Sequence, residues 1–334
     1  LTTAAAQGLL SFETAAAIRE GLGSRPRRLP FECFYDDVGS ALFDAITLLP
    51  EYGVTRAERR LLRANRAAIA SRLSVPVEVV ELGSGSGRTT RTLLESLARR
   101  GPVRYDPVDI SAGALAECER QLAQVPGLTV RPFEGTHEEG LAAAVARRPP
   151  GRALLVLFLG SNIGNLDPAQ ARLFLCRVRA RLRAGDFLLV GADLVKPEAQ
   201  LQLAYDDPAG VTAAFNRNAL ARLNRELQAN FDLAAFRHCA RFDAQASRVE
   251  MHLVAERAMA VRIPPLGLEL RIEGGESIWT ESSYKFRPGE LAELAETCGY
   301  ARVDAWTDVE WPFSLDLLVA AGTIRADRRV EVAP

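Results

Sequence analysis

The stretch VPVEVVELGSGSG, residues 75–87, decides the fold. Val75, Val77, Val79 and Val80 form a β-branched run that favours an extended strand. Gly83, Gly85 and Gly87 then let the chain turn sharply and approach a ligand with no Cβ in the way. An amphipathic helix follows in RTTRTLLESLARRG (88–101), and the same alternation continues downstream. VRYDPVDI (103–110), LTVRPFEG (128–135), ALLVLFLG (153–160) and DFLLVGADL (186–194) read as strands with helical segments between them, the first of these helices capped by Ser111. Strands that are continuously apolar and separated by helices predict a doubly wound α/β fold, a mainly parallel sheet covered on both faces.

Upstream, TRAERRLLRANRAAIASRL (55–73) predicts a helix with Thr55 as N-cap and Glu58 at the capping-box position. Another helix begins near Val38 and is broken by Pro50, after a short helix in FETAAAIREGL and a loop in GSRPRRLP. Between 195 and 285 the βα rhythm gives way to two helical segments and then strands, and it resumes with RPGELAELAETCG, YARVDAWTD and FSLDLLVAAG. The predicted organisation is an N-terminal helical segment (1–60) that contributes to a substrate site, a core domain (61–194 and 286–334), and an inserted α+β substrate-binding domain (195–285).

A length of 334 residues suits about two domains. With 41 Lys+Arg against 42 Asp+Glu the chain lacks the basic excess of a phosphate-neutralising protein, so no nucleic-acid partner is expected. No apolar run reaches the ~18 residues of a membrane span, and acidic residues stand near the start where a signal peptide carries bases. A cytoplasmic, monomeric protein with small-molecule partners is the expectation. Cys33, Cys118, Cys176, Cys239 and Cys298 are widely scattered and predict reduced packing cysteines. His137, His238 and His252 share no ligand spacing, so no metal is expected.

The next strand ends in Asp109, where a carboxylate can accept hydrogen bonds from both hydroxyls of a ribose. A glycine-rich turn without any ligand is the plain alternative. A dinucleotide site would read G-x-G-x-x-G, and a phosphate-binding loop would carry a lysine after the glycines; the run Glu81 to Gly87 reads E-x-G-x-G-x-G and has no such lysine. It resembles motif I of the class I S-adenosylmethionine-dependent methyltransferases, whose fold is Rossmann-like. The resemblance implies that Gly83, Ser84, Gly85 and Thr89 cradle the cofactor, that Asp109 holds its ribose, and that Gly135 and Thr136 flank the adenine.

A narrower resemblance is carried by FYDDVGSALFDAITLLPEYGVTRAE, FLGSNIGNL, AYDDPAGVTAAFNRN, RVEMHL and TESSYKF. These ordered blocks, spread from about residue 25 to 323, are similar to the histidine-specific Nα-methyltransferases of ergothioneine biosynthesis. The family implies three methyl transfers from S-adenosylmethionine, the co-substrate, to the α-amine of L-histidine, giving hercynine. Under that resemblance Tyr52 and Asn165 hold the backbone groups of the amino acid, Tyr205 its carboxylate, and Gly160 offers a carbonyl to the amine. Tyr35 lies at both cofactor and amine as the candidate catalytic residue, Glu281 and Ser283 read the imidazole, and Met251 lines its pocket. A fused sulfoxide synthase, present in some relatives, is not expected.

Plain readings stand beside these: Asn165 as a helix N-cap, Tyr35 and Tyr52 as half-buried aromatics, Met251 as core, Glu281 as a surface carboxylate. The chemistry of the last pair favours a site, because a neutral imidazole offers one donor and one acceptor, and residues two apart on a strand share a face. Departures from the family pattern are Asn162, Trp279 and the Gly135-Thr136-His137 run, the last of which bears on the adenine environment. The alternatives are a methyltransferase for another amino acid such as tryptophan, or a non-catalytic protein that binds S-adenosylmethionine or an amino acid. A nicotinamide oxidoreductase fails on the glycine spacing.

Overall fold

Every residue of the strands Val77–Leu82, Ala153–Phe158 and Phe187–Asp193 is buried, which requires a sheet with both faces covered. A computed structural model describes residues 12–73 and 76–322. Val75 and the outer ends of the expected segments, 1–11 and 323–334, lie outside the described residues.

The chain opens with α1 (Phe12–Gly23), β1 (Arg27–Arg28), α2 (Asp37–Ile46) and α3 (Val54–Arg72). The alternating part comprises β2 (Val77–Leu82), α4 (Arg91–Ala98), β3 (Val103–Asp109), α5 (Ala112–Leu122), β4 (Leu128–Val130), β5 (Phe133–Glu134), α6 (His137–Arg147), β6 (Ala153–Phe158), α7 (Pro168–Arg181) and β7 (Phe187–Asp193). The interruption holds α8 (Glu198–Tyr205), α9 (Val211–Glu226) and the strands β8 (Phe236–Asp243), β9 (Arg248–Ala255), β10 (Met259–Ile263), β11 (Leu268–Ile272) and β12 (Ser277–Tyr284). It closes with α10 (Glu290–Glu296), β13 (Tyr300–Asp308) and β14 (Phe313–Ala320).

The main sheet runs β13-β14-β7-β6-β2-β3-β4, with β5 continuing alongside β3. β2 to β7 pair in parallel, and β14 is antiparallel to both of its neighbours. Strand order reverses between β2 and β6, so the loops after these two strands diverge and open a crevice. A second sheet, β1-β12-β9-β8, takes its edge strand from the N-terminal segment, where Arg27 and Arg28 pair in parallel with Ile278 and Trp279. α2 packs against α9, so the N-terminal segment is attached to the interruption at two places. One hydrophobic cluster runs without a break from the sheet (Leu155, Leu157) to Tyr52, Tyr205 and Met251; a second lies under α6, α7 and α10.

Three local expectations are corrected. α3 starts at Val54 with Gly53 at its cap, and Thr55 does not cap it. Glu58, freed from the expected capping box, is buried and accepts the Gly160 N–H at 2.8 Å. The cap of α7 is Asp167 in a capping box with Gln170, which leaves Asn165 free of that duty. Cys176 and Cys298, expected to be reduced, are joined in a disulfide. They stand on α7 and just after α10, which lie together on one face of the sheet, and a separation of 122 residues leaves no trace of this in the spacing. Cys33, Cys118 and Cys239 are free.

Candidate active site

The turn after β2 is held from beneath. Glu81 is buried and accepts hydrogen bonds from Thr90 at 2.7 Å and from Tyr105, and burial pushes its carboxyl up to about 7. Gly83, Gly85 and Gly87 all have positive φ, which L-residues adopt only with strain. The Gly83 and Ser84 N–H groups donate to the Val108 carbonyl, and the Gly85 N–H donates to Asp109 Oδ2 at 2.9 Å, so the loop is tied to the end of β3. A Cβ on Gly83 would sit 2.9 Å from the Asn162 amide nitrogen and 3.4 Å from the His137 ring.

These features fit S-adenosylmethionine. The space over Gly85 is open, Ser84 Oγ is buried without a hydrogen-bond partner, and Asp109 is half-buried at the crevice. Gly135, at φ 155°, is tied to the Asp109 carbonyl. The hydroxyl of Thr136 is committed to capping α6 with Glu139, and Thr89 accepts a hydrogen bond from Arg59. His137 is the residue that reaches back over the glycine turn, its ring edge-on to Phe158 and Phe174.

Beyond Asn162 the crevice deepens into a pocket. Tyr35, Tyr52, Gly160, Asn165, Tyr205, Met251, Glu281 and Ser283 line it together, and Asn162 lines it as well as touching the glycine turn. The two halves of the site therefore share Asn162 as a common wall. Separate stretches of chain meet there: the turn before α2, the turn before α3, the loop after β6, the end of α8, α9, and the paired strands β9 and β12. Gly160 (φ 70°) and Ser161 (φ 58°) are both left-handed, and the Asp193 N–H donates to Ser161 Oγ at 2.9 Å. Gly164 is required by close approach, because a Cβ there would meet the Tyr284 carbonyl at 2.8 Å.

The aromatic wall is a chain of edge-to-face contacts: Tyr35 on Phe43, Phe43 on Tyr52, and Tyr52 on Tyr205, with centroids 6.2–6.4 Å apart. Burial, then the nearby Glu281 and Asp109 carboxylates, push the Tyr35 phenol far up, so it stays neutral. Burial pushes Glu281 up to about 7, with Lys285 pulling the other way. Glu58, behind Gly160, is pushed up to about 8 by burial against the pull of the Gly160 N–H.

Sequence reasoning missed Glu58, His137, Asp193 and Lys285. Lys285 is fully buried against Tyr205, Ser283 and Asp193, at 2.7, 2.8 and 3.0 Å. A signal for it existed, since Lys285 stands two residues beyond Ser283 and four beyond Glu281, the spacing of one strand face.

A parallel sheet reversing beside a glycine turn that faces a strand-end aspartate, with an antiparallel strand slotted between β7 and β13, defines a class I S-adenosylmethionine-dependent methyltransferase. The pocket beyond the turn is where members of that class differ. Residues 14–320 match the model of the histidine-specific, S-adenosylmethionine-dependent methyltransferases, and the chain belongs to that family. It is 46% identical over 307 residues to a histidine N-alpha-methyltransferase of Mycolicibacterium smegmatis, covering 90% of this chain and 93% of that one. The corresponding protein of Mycobacterium tuberculosis is 44% identical over 302 residues, with 90% and 92% covered. Ergothioneine biosynthesis protein 1 of Neurospora crassa is 31% identical over 84% of this chain, which spans 32% of that longer protein.

Proposed function

We propose that this protein transfers three methyl groups in succession from S-adenosylmethionine to the α-amine of L-histidine, giving hercynine, the first step of ergothioneine biosynthesis. The observation that carries the reading is the convergence of Tyr35, Tyr52, Gly160, Asn165, Tyr205, Met251, Glu281 and Ser283 on one pocket that meets the glycine turn at Asn162.

Bound S-adenosylmethionine supplies a methyl group already activated on a sulfonium, so the protein's work is alignment and dehydration. Gly83, Ser84 and Gly85 hold the cofactor, Asp109 its ribose, and the Gly135 region with His137 its adenine end. The Tyr52 hydroxyl and the Asn165 amide hold the amino acid backbone. The ring edge of Tyr205, whose hydroxyl proton goes to Ser283, faces the carboxylate, and the Gly160 carbonyl accepts from the amine. Glu281 accepts from one ring nitrogen and Ser283 serves the other, with Met251 against the ring.

An ammonium has no lone pair, so the amine sheds a proton before each transfer. A pocket walled by Phe43, Tyr52 and Phe215 disfavours the charged amine and lowers its pKa. Tyr35, held as a neutral phenol, orients the amine lone pair and is not the base. The proton leaves through water. A dimethylamine is still nucleophilic, whereas the trimethylated nitrogen has no lone pair and the reaction stops there.

The test is incubation with S-adenosylmethionine and each of the twenty amino acids, with products read by mass. Additions of 14, 28 and 42 mass units to histidine alone are expected for one, two and three methyl groups. A product from tryptophan and none from histidine overturns the reading.

A further inference from the structure

Lys285 has no place in the roles above, yet it is the cation nearest to the imidazole end of the pocket. Its side chain is fully buried. Among the residues that line the pocket Glu281 alone is charged. The Lys285 ammonium lies behind that wall, donating to Tyr205 Oη at 2.7 Å and Ser283 Oγ at 2.8 Å and pairing with Asp193 Oδ2 at 3.0 Å. Asp193 is itself tied to Lys196 Nζ at 2.6 Å and Trp311 Nε1 at 2.8 Å. The cluster of Lys196, Asp193 and Lys285 thus carries a net positive charge behind the same strand that presents Glu281.

Counting protons gives this arrangement a direction. An ammonium only donates, so both hydroxyl oxygens accept from it. Tyr205 and Ser283 are 2.7 Å apart, and the phenol, the more acidic of the two hydroxyls, gives its proton to Ser283. Ser283 Oγ then has both lone pairs occupied, by Lys285 and by Tyr205. Its remaining O–H has no acceptor among the described residues, and Ser283 lines the pocket.

We infer that Lys285 is a positioning residue that acts through Tyr205 and Ser283, forcing the Ser283 hydroxyl to donate into the pocket and so selecting a side chain that brings an unprotonated ring nitrogen to Ser283 and an N–H to Glu281. The inference rests on histidine being the substrate. It gives Glu281 and Ser283 opposite and fixed senses: one accepts, the other donates. A serine without the lysine behind it is free to rotate and do either. The indole of tryptophan, with one donor and no acceptor, leaves that serine proton unpaired.

The experiment measures binding by calorimetry in the presence of S-adenosylhomocysteine. The ligands are histidine and the two pyrrolylalanine isomers, which keep a ring N–H and place a C–H where histidine has its lone pair. Wild-type protein is expected to favour histidine over the better isomer by about tenfold or more, the effect of leaving one buried donor unpaired. Lys285→Met is expected to bring that ratio close to one, and Lys285→Arg to retain part of it. A purely structural lysine would weaken all ligands together and leave the ratio intact. A folded Lys285→Met with the wild-type ratio overturns the inference. Should that variant not fold, nitrogen NMR of labelled histidine bound to the wild-type protein decides. The unprotonated ring nitrogen is expected to be the one whose resonance moves in Ser283→Ala, and two protonated nitrogens, or a move of the protonated one instead, overturn the inference. Failure of the wild-type protein to bind histidine at all overturns the substrate reading instead.

Discussion

At the residue scale, Glu281 and Glu58 show how burial turns an ordinary carboxylate into a specific one. Glu281 lines the pocket and is otherwise enclosed, and burial pushes its carboxyl up to about 7. The ionised form, which accepts from the ring N–H, therefore prevails only above neutral pH. The kcat/KM for histidine is expected to rise through about pH 7, and Glu281→Gln to flatten that rise; an unchanged profile in the variant removes Glu281 from the imidazole site. Glu281→Ala is expected to raise the histidine KM about 10- to 100-fold, the loss of one hydrogen bond to a charged acceptor, with S-adenosylmethionine binding unaltered. Glu58 carries the same effect into stability. Its folded pKa, about 8, lies above the unfolded value near 4.5, so the folded state holds a proton that the unfolded state releases. Its contribution falls as pH rises between those two values and stays low above them. Glu58→Gln, which still accepts from Gly160, is expected to stabilise by about 1–3 kcal/mol at pH 9 and by almost nothing near pH 4.5. Melting curves of both proteins at the two pH values check this.

At the element scale, the site depends on how closely the loop after β6 approaches β12. Gly164 lies where a Cβ would be 2.8 Å from the Tyr284 backbone carbonyl and 3.3 Å from Ser161 Oγ. Backbone cannot yield as a flexible side chain can. Gly164→Ala is therefore expected to push β12 outward and carry Glu281 and Ser283 with it, at a cost of about 1–3 kcal/mol in stability. Histidine binding, measured by calorimetry, should weaken while binding of S-adenosylhomocysteine stays within about twofold, because the glycine turn after β2 is not involved; equal loss of both ligands would refute the local account. The disulfide belongs to this scale too, since it ties α7 to the end of α10. Alkylation of the denatured, unreduced protein is expected to label three thiols, those of Cys33, Cys118 and Cys239, whereas five labelled thiols would mean the bridge had not formed.

At the scale of the whole molecule, the inserted strands and the main sheet share one hydrophobic cluster, and the N-terminal segment adds its edge strand to the inserted sheet. Lys285 of the insertion pairs with Asp193 at the end of β7. A chain joined in these ways is expected to melt in a single transition. S-adenosylhomocysteine at a hundredfold its Kd adds about 2.7 kcal/mol, so the whole transition should move up by several degrees. Two transitions, of which only one responds, would show that insertion and sheet fold apart. No helix among the described residues is long and apolar enough to cross a membrane.

The sequence by itself determined the parallel sheet, because continuous β-branched runs between amphipathic helices have few other ways to bury themselves, and it determined the cofactor turn, because glycines at a strand end with an aspartate at the next are a local pattern. The candidate substrate residues were legible only as blocks resembling a family; nothing in the spacing of Tyr35, Asn165 and Glu281 says that they meet. What only the tertiary structure decided were contacts between segments far apart in the chain: Glu58 under Gly160, Cys176 with Cys298, and Lys285 between Asp193, Tyr205 and Ser283. The reason is physical. Periodicity records which face of an element is buried, whereas the partner of a buried charge is set by how separate elements pack.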